Sequence, residues 1–559
     1  MAGALVLLAL LSAGCMPEQY AKQADKTAYR AIATGQKAAI GQTKAFDITY
    51  RPIGLGSRPD SIEIGGKAIP VNGDKLVPLT LLECLEIAFR NSREYQTNKE
   101  TLYIAALDMT NARRGWNAPK LNGGVTGNAD ESFDADAAQS THTGAVAVNP
   151  SLAQQLVDGG AVTLGATVQL ATDFLDYRST PITSLVQANF TQPLLRGAWR
   201  GFAYEPQYRL ERDFLIAVFQ YERFRQTLSA QVVRQYYLVL QQRDQLENET
   251  ANIQRLRETA TLTRVLADGG QVSRIQLDQA ENDLIQAQLR LQQDQESYRN
   301  ALDTYKLLLG LPLTAGMDVD YPGELERLSG EGPGEIPFQE AQAVGVALAA
   351  RPDLMMERAK VRDAGRDVQI AADAFLPQMD VVLGISAPGT PPYEAQRIKF
   401  HENTRTASVK FDYQFDQTDN RDDYRKSIIA LEKSQRDLER FIDQIRLDVR
   451  QLYRTLTQSR QSYDLQKRNV EIAKRRRKLA SLQQKEGQAS ARDVLEAEEA
   501  LRQAQNGLTS TLISYTTTRL DFMASLGMLD VDEKGQIHER TDPYTFERIR
   551  RRYPYAGEQ

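Results

Sequence analysis

Two carboxylates three residues apart, Asp493 and Glu496, are the most distinctive chemical feature of this 559-residue chain. At that spacing both lie on one face of a helix. They follow Gly487-Gln488-Ala489-Ser490, where glycine permits a turn and Ser490 stands at the position of an N-cap. Acids in the first turn of a helix also interact favourably with its dipole, so helix chemistry alone gives them a role. Other reactive groupings are missing. The three histidines, His142, His401 and His538, lie far apart in sequence, and the two cysteines, Cys15 and Cys84, make neither a disulfide framework nor a thiolate cluster. Cys84, in Leu81-Leu82-Glu83-Cys84-Leu85, reads as a small packed side chain of an amphipathic helix. No phosphate-binding glycine loop, paired-histidine zinc motif or nucleophile elbow occurs. The remaining acidic pairs sit among Arg and Gln on helical stretches, and the basic run Lys474 to Lys478 reads as a solvated helix face. We therefore expect no catalytic residues, no metal site and no enzyme. With 68 basic and 73 acidic residues, net −5, the chain is also not expected to bind nucleic acid.

The elements that position the acidic pair come in two copies. The stretch from Leu79-Thr80-Leu81 to Tyr95 matches that from Phe338-Gln339-Glu340 to Leu354, at an offset of 259. Farther on the offset is 217: GQVSRIQLDQAENDLIQAQ from Gly270 faces GQASARDVLEAEEALRQAQ from Gly487, and the register holds to Leu309-Gly310-Leu311 against Leu526-Gly527-Met528. Val232 and Tyr236 fall on Val449 and Tyr453. The chain is thus a tandem duplication, shortened in its second copy between the two matching parts. Gln276 and Gln279 occupy the first-copy positions of Asp493 and Glu496, so the charge belongs to the second copy alone.

Each copy contains one very long helix. Residues 207–267 and 421–486 hold neither Pro nor Gly, which predicts rods of roughly 95 Å. No globular core encloses such rods, so they must pack side by side. The partner helix supplies the seam: Leu277, Ala280, Leu284, Ala287 and Leu291 step by three and four, as do Val494, Ala497, Leu501, Ala504 and Leu508. Asp268-Gly269-Gly270 and Glu486-Gly487 mark the reversals between rod and partner.

Before each long helix, beyond Pro119 and Pro377, the period changes to two. Strand-like segments fall at 120–128, 142–149, 161–171 and 184–192 in the first copy. In the second, Val409, Phe411, Tyr413 and Phe415 alternate with Lys410, Asp412, Gln414 and Asp416. Strands of about 9–11 residues with one apolar and one polar face suit a transmembrane barrel, and equally a soluble sandwich with one buried face. The N-terminus favours the membrane. Residues 2–14 form an apolar run too short to span a bilayer but suited to a signal peptide. No later stretch reaches 18 apolar residues, so a membrane-spanning chain of this kind must do so as a barrel. The run ends in Leu11-Ser12-Ala13-Gly14-Cys15, which resembles the lipobox of bacterial lipoproteins; by that resemblance Cys15 would carry a covalent lipid. No basic residue precedes the run, and Ser12 stands where Leu is commoner. Met16 rather than Asp after the cysteine suggests the outer membrane by the same resemblance.

The order of short helix, strands, very long helix, glycine-marked tip and partner helix ending in Leu-Gly, given twice, resembles the TolC-like outer membrane efflux proteins. The resemblance covers residues from about 77 to 528. Its most specific pieces are Leu79-Thr80-Leu81 with Ala88 to Tyr95, Thr191-Gln192-Pro193-Leu194-Leu195-Arg196-Gly197, and Gly487 to Ala497. It implies an α+β membrane protein whose protomer is a tandem repeat. Long helices would form a coiled-coil α-barrel across the periplasm, and transmembrane strands a trimeric β-barrel in the outer membrane. The divisions are then a signal peptide with lipobox (1–15), an N-terminal extension (16–76), repeat one (77–311), an equatorial linker (312–337), repeat two (338–528) and a tail (529–559). The family's minimum is two strands per copy. The first copy has more, so either some form an extended extracellular hairpin or the barrel has more strands.

By the same resemblance the homotrimer would be a passive exit duct. It would work with a periplasmic adaptor and an inner-membrane transporter, for drug, metal or protein cargo, with no cofactor beyond the lipid on Cys15. Three copies each of Asp493 and Glu496 would form acidic rings at the periplasmic gate, favouring cations and raising one another's pKa values, with Arg492 a candidate partner. Gly270, Val272, Ser273, Gly487, Ala489 and Ser490 would form tips that dock the adaptor, although Ser273 and Ser490 are also expected simply to cap helices. Trp116 and Trp199 are expected near strand ends, as interface anchors or as plain packing. Two other readings remain: a periplasm-spanning coiled-coil lipoprotein without a pore, and a secreted enzyme with a coiled-coil appendage.

Overall fold

A computed structural model describes residues 17–50, 61–64, 67–70, 76–134, 139–173, 182–336, 338–390, 394–486 and 488–539. Cys15 with the signal segment, and Gly487, lie outside them. Helix α1 (Pro17–Ile40) leads to a hairpin of β1 (Ser61–Ile64) and β2 (Lys67–Pro70), and then to strand β3 (Val77–Leu79). Repeat one continues with α2 (Leu81–Asn91) and α3 (Arg93–Asn117), then β4 (Lys120–Asp134), β5 (Gln139–Gln155), β6 (Ala161–Asp173) and β7 (Ile182–Pro193), and finally α4 (Glu205–Asp268) and α5 (Arg274–Leu308). The linker forms β8 (Met317–Val319), parallel to β3, and α6 (Tyr321–Glu331). Repeat two has α7 (Glu340–Ala350), α8 (Pro352–Asp373), β9 (Gln378–Thr390), a short β10 (Glu394–Ile398), β11 (Thr404–Asp412), α9 (Thr418–Lys485) and α10 (Ala491–Ser525). A hairpin of β12 (Leu529–Val531) and β13 (Ile537–Glu539) closes the described chain.

The long helices have 64 and 68 residues, so each is roughly 100 Å long. The expected single first helix of each copy is instead a pair. Ser92 has extended backbone (φ −61°, ψ 124°) and caps α3 by accepting from the Tyr95 amide at 3.3 Å; Arg351 takes the same conformation one residue before Pro352, which cannot donate a helical hydrogen bond.

The duplication is legible in the packing. Tyr236 meets Tyr305 with ring centroids 6.2 Å apart, and their equivalents Tyr453 and Phe522 meet at 6.1 Å. Gly310 (φ +73°) and Gly527 (φ +72°) end the partner helices in the left-handed conformation. Each abuts the break in its own copy's first helix pair: a Cβ on Gly310 would lie 2.6 Å from the Asn91 carbonyl oxygen, and one on Gly527 3.1 Å from that of Ala350.

The core is concentrated around the middle of α4, where Tyr236, Tyr305, Leu79, Leu85 and Ile87 are fully buried. The N-terminal extension belongs to it. Ala28 and Ile32 of α1 are buried, and Gly35 lies against Phe214 so closely that a Cβ would meet that ring at 2.6 Å. Lys44 donates to Glu222 (3.2 Å), Asp530 (3.0 Å) and the Val531 carbonyl (2.8 Å), while Arg225 donates to Glu222 and to the Val531 and Asp532 carbonyls. This cluster ties extension, α4 and tail together.

All long strands lie in one antiparallel sheet, ordered β4-β5-β6-β7-β9-β11, with β10 paired to the end of β9. None of repeat one's described strands forms a separate hairpin. One face carries Leu121 and Val125, then Val146 and Val148, Leu164 and Val168, Val186 and Phe190, Leu383 and Ile385, and Val409 and Phe411, each set in register with the next. The other carries Asn122, Thr126, Asn149, Thr167, Gln187, Asn189, Thr406 and Lys410. The apolar face is exposed; Leu121 is 78% and Phe411 63% accessible.

Candidate functional site

The two helix tips are built alike at the rod end and differently at the partner end. α4 closes through Gly270 (φ +71°), with Gly270 N–H donating to the Ala267 carbonyl at 3.0 Å and Gln271 N–H to that of Leu266 at 2.9 Å. In repeat two, Gln488 N–H donates to the Gln483 carbonyl at 2.8 Å. Ser490 then caps α10 in a full capping box: its hydroxyl accepts from the Asp493 amide (3.3 Å) and donates to the Asp493 carboxylate (2.7 Å), which also accepts from the Ser490 amide (2.9 Å). Ser273 holds the same backbone conformation but makes no side-chain cap, contrary to expectation. Its third residue on is Gln276 rather than Asp, so no carboxylate receives the serine hydroxyl and fixes its rotamer.

Asp493 and Glu496 share a face at the start of α10, yet each has a separate partner. The hydrogen bonds from Ser490 hold the exposed Asp493 carboxyl below its ordinary value. Glu496 is bracketed by arginines, with Arg492 at 2.9 Å and Arg476 at 3.8 Å. Glu496 lines a cleft together with Gln279, its first-copy counterpart, and with Asp283, Arg290, Arg492 and Glu499. Val272 and Ala489 are half-buried at the two tips, and close to Val272 in sequence are two exposed apolar side chains that periodicity did not single out, Val265 and Ile275 (70% accessible).

Behind the acids lies a charged clamp that sequence reasoning missed. Glu498 of α10 is buried and takes Arg255 of α4 at 2.5 Å and Arg477 of α9 at 3.6 Å. Glu249 of α4, fully buried, takes Arg290 of α5 and Arg502 of α10, both at 3.3 Å. Burial raises the Glu249 carboxyl above its ordinary value, against the pull of both arginines. Arg476 and Arg477 come from the basic run read as solvated; both reach α10. The missed signal was positional: Glu498 follows the seam residue Ala497, and only the packing of α10 against α4 encloses it.

At the opposite end of the rods, the β5–β6 turn packs under the strands. Trp199 N–H donates to the Asp158 carbonyl at 3.2 Å, and a Cβ on Gly159 (φ +90°) would lie 3.1 Å from Pro193 and from Ala203. Trp199 itself has φ +68° and is 66% accessible, whereas Trp116 packs edge-on against Tyr204 at 5.1 Å. Buried Cys84 is a packed thiol, as expected; burial pushes it up to about 12. Among the described residues no group of three His, Cys, Asp or Glu is placed to hold a metal, and no helix is long and apolar enough to cross a membrane.

Residues 343–528, nearly all of repeat two, match the family model for outer membrane efflux proteins. That match makes the second repeat similar to the family, across about a third of the chain. The fold is similar to that of the Campylobacter jejuni CmeC outer membrane channel, at 14% identity and TM-score 0.61, covering 85% of this chain and 89% of that one. It is likewise similar to the open state of the Neisseria gonorrhoeae MtrE outer membrane channel (13%, 0.60, 87% and 98%) and to the Vibrio cholerae outer membrane protein VceC (15%, 0.59, 80% and 96%). Identities this low speak for the shared fold. No curated sequence matches the chain.

Proposed function

We propose that three copies of this chain form a passive exit duct through the outer membrane of a bacterium with a Gram-negative-type envelope. The supporting observation is the apolar face that runs unbroken across six long strands, directly above two helical hairpins of roughly 100 Å. Lipid is the environment that such a face fits, and hydrocarbon leaves no strand edge unpaired, so copies must close on one another. A poreless scaffold gives no reason for a sheet with one apolar and one polar side. The polar side faces the lumen, and the paired rods continue the lumen through the periplasm.

In this reading lipidated Cys15 anchors the N-terminus and Trp199 sits at the membrane interface. The tips at Gly270, Val272 and Ser273 and at Gly487, Ala489 and Ser490 receive a periplasmic adaptor, with Val265 and Ile275 adding apolar contact. An inner-membrane transporter supplies the energy. Asp493 and Glu496 of three protomers line the periplasmic gate, where fixed negative charge admits cations more readily than anions. The test is conductance of purified protein in planar bilayers beside the variant Asp493→Ala/Glu496→Ala. Small or rare steps that grow, or lose cation preference, in the variant are expected. Unchanged steps would remove the acids from the gate, and folded protein giving no steps would remove the duct.

A further inference from the structure

The described sheet is wider than a pair of two-strand repeats requires, and the excess lies in repeat one. Between the two matching parts of the repeats the offset falls from 259 to 217, a difference of 42 residues. Lys120–Gly160, which contains β4, β5 and their turn, spans 41 residues. The extra length therefore equals that of one hairpin, and no described hairpin of repeat one lies outside the sheet. β4 pairs β5 and β5 pairs β6 along almost their whole lengths, and their apolar residues fall on the same face as those of β7, β9 and β11.

The sheet's two free edges are β4 and β11. β11 is exposed along its full length, as is β4 over residues 120–129. The strands alternate in direction across the sheet, so the six-strand order makes β4 and β11 antiparallel to each other. The repeat also supplies their register. Inside the chain, the last strand of repeat one pairs with the first strand of repeat two, Leu185 with Pro388 through Pro193 with Asp380. In the corresponding place at the other boundary, β11, the last strand of repeat two, meets β4 of the next copy, the strand that follows Pro119 as β9 follows Pro377. Shifting β7 by 217 residues onto β11, and β9 by 258 onto β4 (the spacing of the helix-ending Pro119 and Pro377), sets Thr406 opposite Thr126, Lys410 opposite Asn122 and Phe411 opposite Leu121. In that register polar meets polar and apolar meets apolar along the edge.

We propose that each protomer contributes six strands to the wall, so that β4 of one copy pairs with β11 of the next and the trimer closes an 18-stranded barrel. The inference rests on the exit-duct reading and deepens it. Barrel diameter grows about linearly with strand number, so this mouth is about 1.5-fold wider than a barrel built from four strands per protomer. Such a barrel belongs with those that leave an open aqueous channel, and the restriction on flow falls to the helical tips.

The test is disulfide trapping in outer membranes. Thr126→Cys/Thr406→Cys is expected to shift, on mild oxidation, to two and three times the protomer mass on non-reducing gels, a shift that neither single variant shows. Thr167→Cys/Thr406→Cys, which joins β6 to β11, is expected to stay at protomer mass. Trapping through Thr167 without trapping through Thr126 would overturn the six-strand wall and leave the duct standing, with four strands per protomer. No trapping through either position would overturn closure between copies, and the duct with it. Electron cryomicroscopy of the unmodified protein counts strands without any variant: eighteen around one lumen supports the proposal, and twelve with a hairpin outside the wall overturns it.

Discussion

Glu498→Gln exchanges a carboxylate for an amide of the same shape at the centre of the clamp between α4, α9 and α10. The side chain is 4% accessible, and its partners Arg255 and Arg477 are 20% and 37% accessible. Breaking a fully buried ion pair costs about 3–5 kcal/mol, because a charge is left without a partner. Here the arginines reach water in part, so the loss is nearer that of a hydrogen bond to a charged group, about 1–3 kcal/mol. In a chain of this size that lowers the thermal midpoint by roughly 1–3 °C, read by circular dichroism of the purified protein in detergent. The comparison is Glu247→Gln, whose partner Arg243 is one turn away on the same helix at 2.8 Å; that exposed pair contributes only about 0.3–0.5 kcal/mol. Glu498 is two residues beyond Glu496, so releasing it also frees the start of α10 to move, and channel steps should become larger or more frequent. If Glu498→Gln melts with the Glu247→Gln variant and conducts like the unaltered protein, the clamp neither stabilises α10 nor holds the tip.

Two further outcomes follow from the repeat boundaries. Gly310→Ala forces an L side chain into φ +73° and drives its Cβ to 2.6 Å from the Asn91 carbonyl oxygen, so it should cost roughly 2–4 kcal/mol, visible as a lower melting midpoint; Gly527→Ala, with 3.1 Å to Ala350, should cost less, and equal effects would refute the packing argument. Asp353 is half-buried, which by itself raises its carboxyl, but paired hydrogen bonds from Arg351 (3.0 and 2.6 Å) and the charge of Arg223 outweigh burial and hold it below its ordinary 3.8. Because its folded pKa is depressed, its contribution is fully present above the unfolded value and disappears as pH falls through the folded one. Asp353→Asn should therefore melt earlier at pH 7 and converge on the unaltered protein below about pH 4; a constant difference down to pH 3 would show that the charge is not the cause.

The sequence by itself determined the duplication, the two long helices to within a few residues, the tips and the strand segments. These are local or periodic properties. Freedom from Pro and Gly sets a rod's length, alternation sets a strand's faces, and a repeat shows itself by self-comparison. The acidic pair was legible for the same reason, as two charges three apart. Its surroundings were not. That Ser490 captures Asp493 while Ser273 caps nothing, and that Arg476 and Arg492 bracket Glu496, depends on rotamers and on which helix faces which. The clamp around Glu498 and Glu249 joins residues up to 253 positions apart, and the Lys44–Glu222–Asp530 cluster joins three distant segments. No single-sequence period records such pairs, because burial at these positions is created only when α10 lies against α4 or the tail folds back on α4. Strand number was the clearest case. The sequence showed more strand in repeat one than two strands need. Only the hydrogen-bonded register, which carries one apolar face without a break from β4 to β11, decided that all six belong to a single sheet.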